Sequence, residues 1–198
     1  MQPDRVVLAV TGASGIQYAQ RLLHVLLQSP VETHVVFSDA AFDVWRAELD
    51  VPCNPDKPDL NAFAGVVGKA FLWKNAQVGA PVASGSFRHR GMVICPCTMS
   101  TLGAVASGTG DKLIGRAAEV TLKERRKLLL VTRETPLSLI ALRNMVTVTE
   151  AGATVIDANP GFYTRPQTVQ DMIDFVVARV LDQLGLEHKL SKRWGERA

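Results

Sequence analysis

The chain has 198 residues, 47% of them apolar, and sets 22 Lys and Arg against 19 Asp and Glu for a formal net charge of +3. That length and apolar content suffice for one substantial core and predict a single domain spanning 1–198. The cations are interspersed with acids, which argues against a nucleic-acid surface or a membrane surface. No apolar run approaches the roughly 20 residues a membrane span needs, and Met1–Arg5 leads into a strand without a signal-peptide core, so a cytoplasmic protein is expected.

In chain order, Val6–Val10 is a continuous apolar run that predicts a buried strand, followed by a helical pattern from about Gly15 to Leu27. A second strand, Thr33–Phe37, precedes a helix at Ala40–Leu49. The stretch at about 51–85 carries Pro52, Pro55, Pro58 and Pro81 and predicts an irregular surface excursion, of the kind that is often functional. Strand Met92–Cys95 leads to helices at Ser100–Ala106 and Gly115–Leu122, then strand Leu128–Thr132. Thr135-Pro136 predicts the cap and first turn of a helix running to Thr149, with Gly152 at its far end. Strand Thr154–Ile156 and helix Thr168–Leu184 follow, and a polar tail, 187–198, closes the chain. Strands buried on both faces and alternating with helices predict an α/β fold with a Rossmann-like, doubly wound parallel sheet.

Cys53, Cys95 and Cys97 cannot all pair, and a core of this size does not require disulfides, so reduced thiols are expected. Cys95-Pro96-Cys97 has no second ligand pair at zinc-site spacing, and His24, His34, His89 and His188 are scattered singly. No metal site is expected. The thiols are read as fillers of tight space where a buried strand ends.

Ligands of an open parallel sheet sit beyond the carboxyl ends of its strands. Those positions hold Gly12, Ala13, Ser14 and Gly15; Ser38 and Asp39; Thr98, Met99, Ser100 and Thr101; Arg133, Glu134 and Thr135; and, a little later, Tyr163 and Arg165. Small residues let backbone amides approach an anion, and a following helix start adds partial positive charge, which favours a phosphate ester. A nicotinamide dinucleotide is the rival reading, weakened by an incomplete GxGxxG and by Ser38 where an acid would hold the ribose, yet kept open by Asp39. Arg133 and Glu134 directly follow a buried strand, where a guanidinium can clamp phosphate and a carboxylate can move a proton. Lys123, Arg125, Arg126 and Lys127 also read as a solvated helix end.

Taken together, "TGASG", "ASGSF" (83–87), "GMVICPCTMSTL", "RAAEVTLKERRKLLLVTRETP", "GFYTRPQ" and the closing "RWGE" resemble the UbiX/Pad family of flavin prenyltransferases, in order from Val6 to Glu196. The resemblance implies a metal-independent enzyme that joins a dimethylallyl group from dimethylallyl monophosphate to reduced FMN. Its product, prenylated FMN, serves UbiD-type decarboxylases in ubiquinone biosynthesis or aromatic-acid metabolism. It also implies a large homo-oligomer, a dodecamer, with sites between subunits. Matched position by position, Gly12, Ala13, Ser14, Ser38, Thr98, Met99, Ser100, Thr101 and Arg133 take FMN. Arg116, Lys123, Arg133, Tyr163 and Arg179 take the prenyl phosphate, and Ser14, Glu48 and Glu134 are the catalytic candidates. The approach to "ASGS", Gln77–Val82, lacks the aromatic residue the family often places there, and Trp73 lies well upstream. Two other readings stay open: an FMN carrier subunit of a decarboxylase, and a flavin-dependent cysteine decarboxylase.

Overall fold

The computed structural model describes residues 4–191; the tail beyond 191, including "RWGE", lies outside the described residues. Six parallel strands, β1 (Arg5–Val10), β2 (Glu32–Phe37), β3 (Ala70–Lys74), β4 (Gly91–Cys97), β5 (Lys127–Thr132) and β6 (Thr154–Asp157), form one sheet in the order β3-β2-β1-β4-β5-β6. Helices α1 (Ile16–Leu27), α2 (Asp39–Glu48), α3 (Leu60–Ala64), α4 (Met99–Ser107), α5 (Leu113–Lys123), α6 (Leu139–Glu150) and α7 (Val169–Leu184) cover it.

Alternation along the strands builds two cores. Val6, Leu8, Val10, Val35, Val93 and Val131 point to the side where α1, α2 and α7 lie, while Val7, Ala9, Val36, Met92, Ile94 and Leu130 point to α4 and α5. The central strands are therefore buried on both faces, as their unbroken apolar sequences require. Cys95 and Cys97 are among the buried residues of β4, and burial pushes the Cys97 thiol up to about 12 and the Cys95 thiol higher still. Both thiols are inert packing groups.

Two expectations are corrected. The stretch read as irregular contains α3 and β3: Asp59 caps α3 by accepting from the Asn61 and Ala62 amides, and β3 pairs along its length with β2. β3 carries its own apolar run, Ala70–Trp73, but that run follows a stretch with three prolines, and as an edge strand it is only partly buried. Helix α6 begins at Leu139, not at Pro136, because Ser138 is the residue whose hydroxyl accepts from a first-turn amide, that of Ala141 at 3.1 Å.

Candidate active site

The strand order reverses between β1 and β4, and the loops at their carboxyl ends are tied together there. Thr11 donates its amide (3.2 Å) and its hydroxyl (2.7 Å) to the Pro96 carbonyl, and its hydroxyl oxygen accepts from the Thr98 amide at 3.0 Å. Gly12 sits against the start of α2, where an added Cβ would fall 2.5 Å from that of Ala40. Gly15 turns the chain into α1 at φ 99°, a conformation that favours glycine.

The start of α1 does not present its amides to a ligand. Glu48, the last residue of α2, accepts from Gly15 N at 2.9 Å and Ile16 N at 3.3 Å. The side chain of Arg133 reaches the same loop, its Nε donating to the Ser14 carbonyl at 3.2 Å. Ser14, Glu48 and Arg133 are thus brought into one cluster. Tyr18, which nothing in the sequence singled out, stands beside it: burial raises the pKa of its phenol, as do Cys95 and Asp157, and Arg133 acts in the opposite direction.

The open space lies one strand over, between β2 and β4. A cleft of about 360 Å³ is lined by Ser38, Asp39, Ser100, Thr101, Lys112 and Gly115 among others. Helices α2, α4 and α5 begin at this cleft, with Ser38, Thr98 and Lys112 as their N-cap residues. The first-turn amides of α2 and α4, together with the dipoles of all three helices, make such a convergence favourable for an anion. Ser38 accepts from the Ala41 amide, which leaves its own proton available. Thr98 accepts from the Thr101 amide at 3.1 Å and donates to the Thr101 hydroxyl at 2.9 Å, so the proton of Thr101 is free to reach outward. Met99, only partly buried, packs its side chain against the second core. The floor needs glycine at two unflagged positions: an added Cβ on Gly110 would sit 2.5 Å from the Cα of Gly115, and one on Gly115 would sit 2.4 Å from that of Gly110. Asn75, also unflagged, anchors the start of α5 by accepting from Leu113 N (2.8 Å) and Ile114 N (3.1 Å).

Hydroxyls and helix starts converging on one cleft suit an anion such as a phosphate group. The chain matches the profile of the Flavoprotein family over residues 1–181. It is 48% identical to the flavin prenyltransferase UbiX of Pseudomonas aeruginosa, covering 98% of this chain and 95% of that protein. The chain belongs to the UbiX family of flavin prenyltransferases. UbiX of Halalkalibacterium halodurans is 44% identical, over 96% of this chain and 92% of its own. Among solved structures, AnUbiX (PadA1) in complex with FMN and dimethylallyl pyrophosphate superposes with a TM-score of 0.90 at 42% identity, over the whole of both chains. A dodecameric FMN-dependent UbiX-like decarboxylase from Escherichia coli O157:H7 gives 0.87 at 42% identity, over 97% of this chain and all of the other. Peptidyl-cysteine decarboxylase EpiD shares the fold, with a TM-score of 0.61 at 14% identity over 92% of this chain and 99% of its own.

Seen as a UbiX-family chain, the molecule divides its predicted site residues between two places. Gly12, Ala13, Ser14, Ser38, Glu48, Thr98–Thr101, Arg133 and the exposed Glu134 lie at the carboxyl edge of the sheet, with Tyr163 following β6 and packed edge-on against Phe175 at 5.6 Å. Lys123 does not join them. It ends α5 just before β5 starts, while Arg133 follows that strand, and six extended residues between them span about 20 Å. Arg179 faces Asp182 on the second half of α7, whose last turn reaches the beginning of β5 through a 2.7 Å bond from Lys127 Nζ to the Gln183 carbonyl. Arg116 stands exposed on α5 and pairs with Glu119 at 2.8 Å. At the amino edge the "LKERR" and "ASGSF" motifs meet: Arg126 donates to the carbonyls of Gly85 (2.6 Å) and Phe87 (2.8 Å), and a Cβ on Gly85 would lie 2.5 Å from Glu124 Oε1. The indole of Trp73 donates to His34 Nδ1 at 3.0 Å, and Trp73 lines, with Phe37 and Phe42, a cavity of about 310 Å³ that shares Asp39 and Asn75 with the cleft.

Among the described residues, no group of three or more His, Cys, Asp or Glu side chains could hold a metal ion. No helix among them is long and apolar enough to cross a membrane.

Proposed function

We propose that the protein transfers a dimethylallyl group from dimethylallyl monophosphate to reduced FMN, releases phosphate, and supplies the prenylated flavin to a UbiD-type decarboxylase in the cytoplasm. The observation that carries this reading is the cluster of Ser14, Glu48 and Arg133 beside a hydroxyl-lined cleft with helix starts, in a chain 48% identical to a flavin prenyltransferase. Reduced FMN supplies the nucleophilic ring that accepts the prenyl group. Ser38, Ser100, Thr101 and the amides of α2 and α4 hold the flavin phosphate, and the Gly12–Ser14 backbone lies against the ring.

Arg133 bridges the two substrates, with its Nε already tied to the loop and the rest of its guanidinium free to clamp the prenyl phosphate. Breaking the allylic carbon–oxygen bond leaves a phosphate dianion, and Arg116, Lys123 and Arg179 neutralise it while Tyr163 donates a hydrogen bond. Glu134 and Ser14 move the protons that complete ring closure, and Glu48 holds the loop that carries Ser14. Because Lys123 lies about 20 Å from Arg133 within one chain, a neighbouring subunit delivers it, which requires the homo-oligomer, a dodecamer in this reading.

Anaerobic incubation with reduced FMN and dimethylallyl monophosphate, followed by mass spectrometry, should give a flavin heavier by one prenyl group; recovery of FMN alone refutes the assignment. A parallel incubation with the pyrophosphate sets the donor. A mere FMN carrier would tolerate Glu134→Gln with normal flavin release, whereas the enzyme loses turnover.

A further inference from the structure

Lys112 is the one cleft-lining cation that neither the sequence motifs nor the family match accounts for. It caps α5 through its backbone, its carbonyl accepting from Arg116 N at 3.0 Å, so its side chain has no structural duty in the helix. Its ammonium instead spans the cleft to Asp39 Oδ2 at 3.0 Å, joining the first residue of α2 to the cap of α5 across the space lined by Ser38, Ser100 and Thr101. Both groups are exposed, with side-chain accessibilities of 54% for Lys112 and 83% for Asp39. A bridge between exposed partners is worth little by itself. Its position is what matters, because a negative charge in the mouth of an anion cleft opposes the anion and a positive one welcomes it.

We infer that Asp39 and Lys112 form an exchangeable latch over the phosphate end of the flavin cleft: an arriving phosphate dianion takes Lys112 from Asp39, and the protein thereby selects FMN over unphosphorylated riboflavin. The inference rests on reading this cleft as the seat of the flavin phosphate. Before binding, Asp39 neutralises Lys112 and holds it across the cleft. After binding, the ammonium lies on a doubly charged acceptor and Asp39 is left to solvent, which at 83% exposure hydrates it readily. Asp39 therefore weakens FMN binding and Lys112 strengthens it, and neither acts on the ring.

The test is equilibrium titration of flavin-stripped protein with FMN and with riboflavin, followed by flavin fluorescence, for the wild type, Lys112→Gln, Asp39→Asn and the double variant. Lys112→Gln should weaken FMN about tenfold and leave riboflavin within about twofold, the size of one charge-assisted hydrogen bond. Asp39→Asn should tighten FMN several-fold with riboflavin unchanged. The Lys112→Gln loss should be larger in the Asp39→Asn background, where no bridge has to be broken. If the wild type prefers FMN but Lys112→Gln leaves that preference intact, the latch is refuted and the cleft reading stands. If the wild type binds FMN and riboflavin equally, the cleft is not the phosphate seat and both fall.

Discussion

The two edges of the sheet are made of different materials. At the carboxyl edge, beside Glu48, Arg133 and Glu134, most groups are small: Gly12, Gly15, Ser38, Thr98 and Thr101, each fixed by a cap or a close approach to a neighbouring element. At the amino edge they are long and cationic, with Lys123 at the end of α5 and Arg126 clamped onto the "ASGSF" loop. The first edge suits recognition of a nucleotide through amides and hydroxyls. The second suits neutralising charge that a reaction creates. In the proposed assignment neither edge alone supplies both the flavin seat and all the cations for the leaving phosphate, and β5 holds the two apart.

The largest effect expected from that division is all-or-none. Arg133→Ala, at the carboxyl edge, and Lys123→Ala, at the amino edge, should each abolish prenyl transfer. When the two inactive chains are assembled together from a denatured equal mixture, about a quarter of wild-type activity should return, because each site draws its two halves at random from two subunits. Absence of any return in a mixture that re-forms the wild-type oligomer would show that one chain owns a whole site.

Next in size is the carboxyl edge's intolerance of bulk. Gly12→Ala puts a Cβ at 2.5 Å from Ala40 Cβ and 3.0 Å from the Ala40 backbone, so the first turn of α2 must move and take Ser38 with it. A loss of about 2–3 kcal/mol in urea-unfolding stability is expected, together with weaker FMN binding. Gly85→Ala has an equally short contact at the amino edge, but with the far end of the Glu124 side chain, which can swing away. Its stability should fall by less than half as much; equal losses would erase the contrast between a rigid edge and a yielding one.

Smaller again is the cost of untying the loops. Thr11→Val removes the hydroxyl that serves the Pro96 carbonyl and the Thr98 amide, leaving the latter without its acceptor, and should cost about 1–2 kcal/mol. Thr11→Ser keeps both bonds and should melt close to the wild type.

The asymmetry between edges also governed what the sequence revealed. Central strands were readable because burial on both faces demands unbroken apolar runs, as in Val6–Val10 and Leu128–Thr132. Edge strand β3, "AFLWK", has no such demand and sits behind a proline-rich stretch. The carboxyl-edge loops were legible because the position of a ligand in a parallel sheet follows from topology alone. Lys123 and Arg179 carry no local sign of function; only resemblance to a family promotes them above ordinary surface cations. The engagement of Glu48 with the α1 amides was not legible at all, since it joins residues 33 and 32 positions apart through the packing of two helices.

The smallest expected effect belongs to the amino-edge side of the second core, where two histidines are held neutral. The indole of Trp73 can only donate, so His34 Nδ1 must accept and its proton resides on Nε2, directed at Glu32 Oε1 2.9 Å away. Burial lowers the His34 pKa, Glu32 opposes that shift, and a second proton on Nδ1 would break the Trp73 bond. His89 is lowered to about 4, first by burial and then by the Arg126 guanidinium, with a backbone hydrogen bond at Gly91 acting the other way. Both groups bind a proton more tightly unfolded, with an ordinary value of 6.5, than folded. Their contribution to stability is therefore complete above about pH 6.5 and is lost on acidification, for His89 as the pH falls toward 4. Allowing for solvent around the half-buried His89, the wild type should lose about 1 kcal/mol between pH 7 and pH 5 from this source. His89→Gln should flatten that slope while leaving the FMN affinity at the opposite edge unchanged. A slope equal to the wild type's would mean that carboxylates, not these imidazoles, set the acid limit.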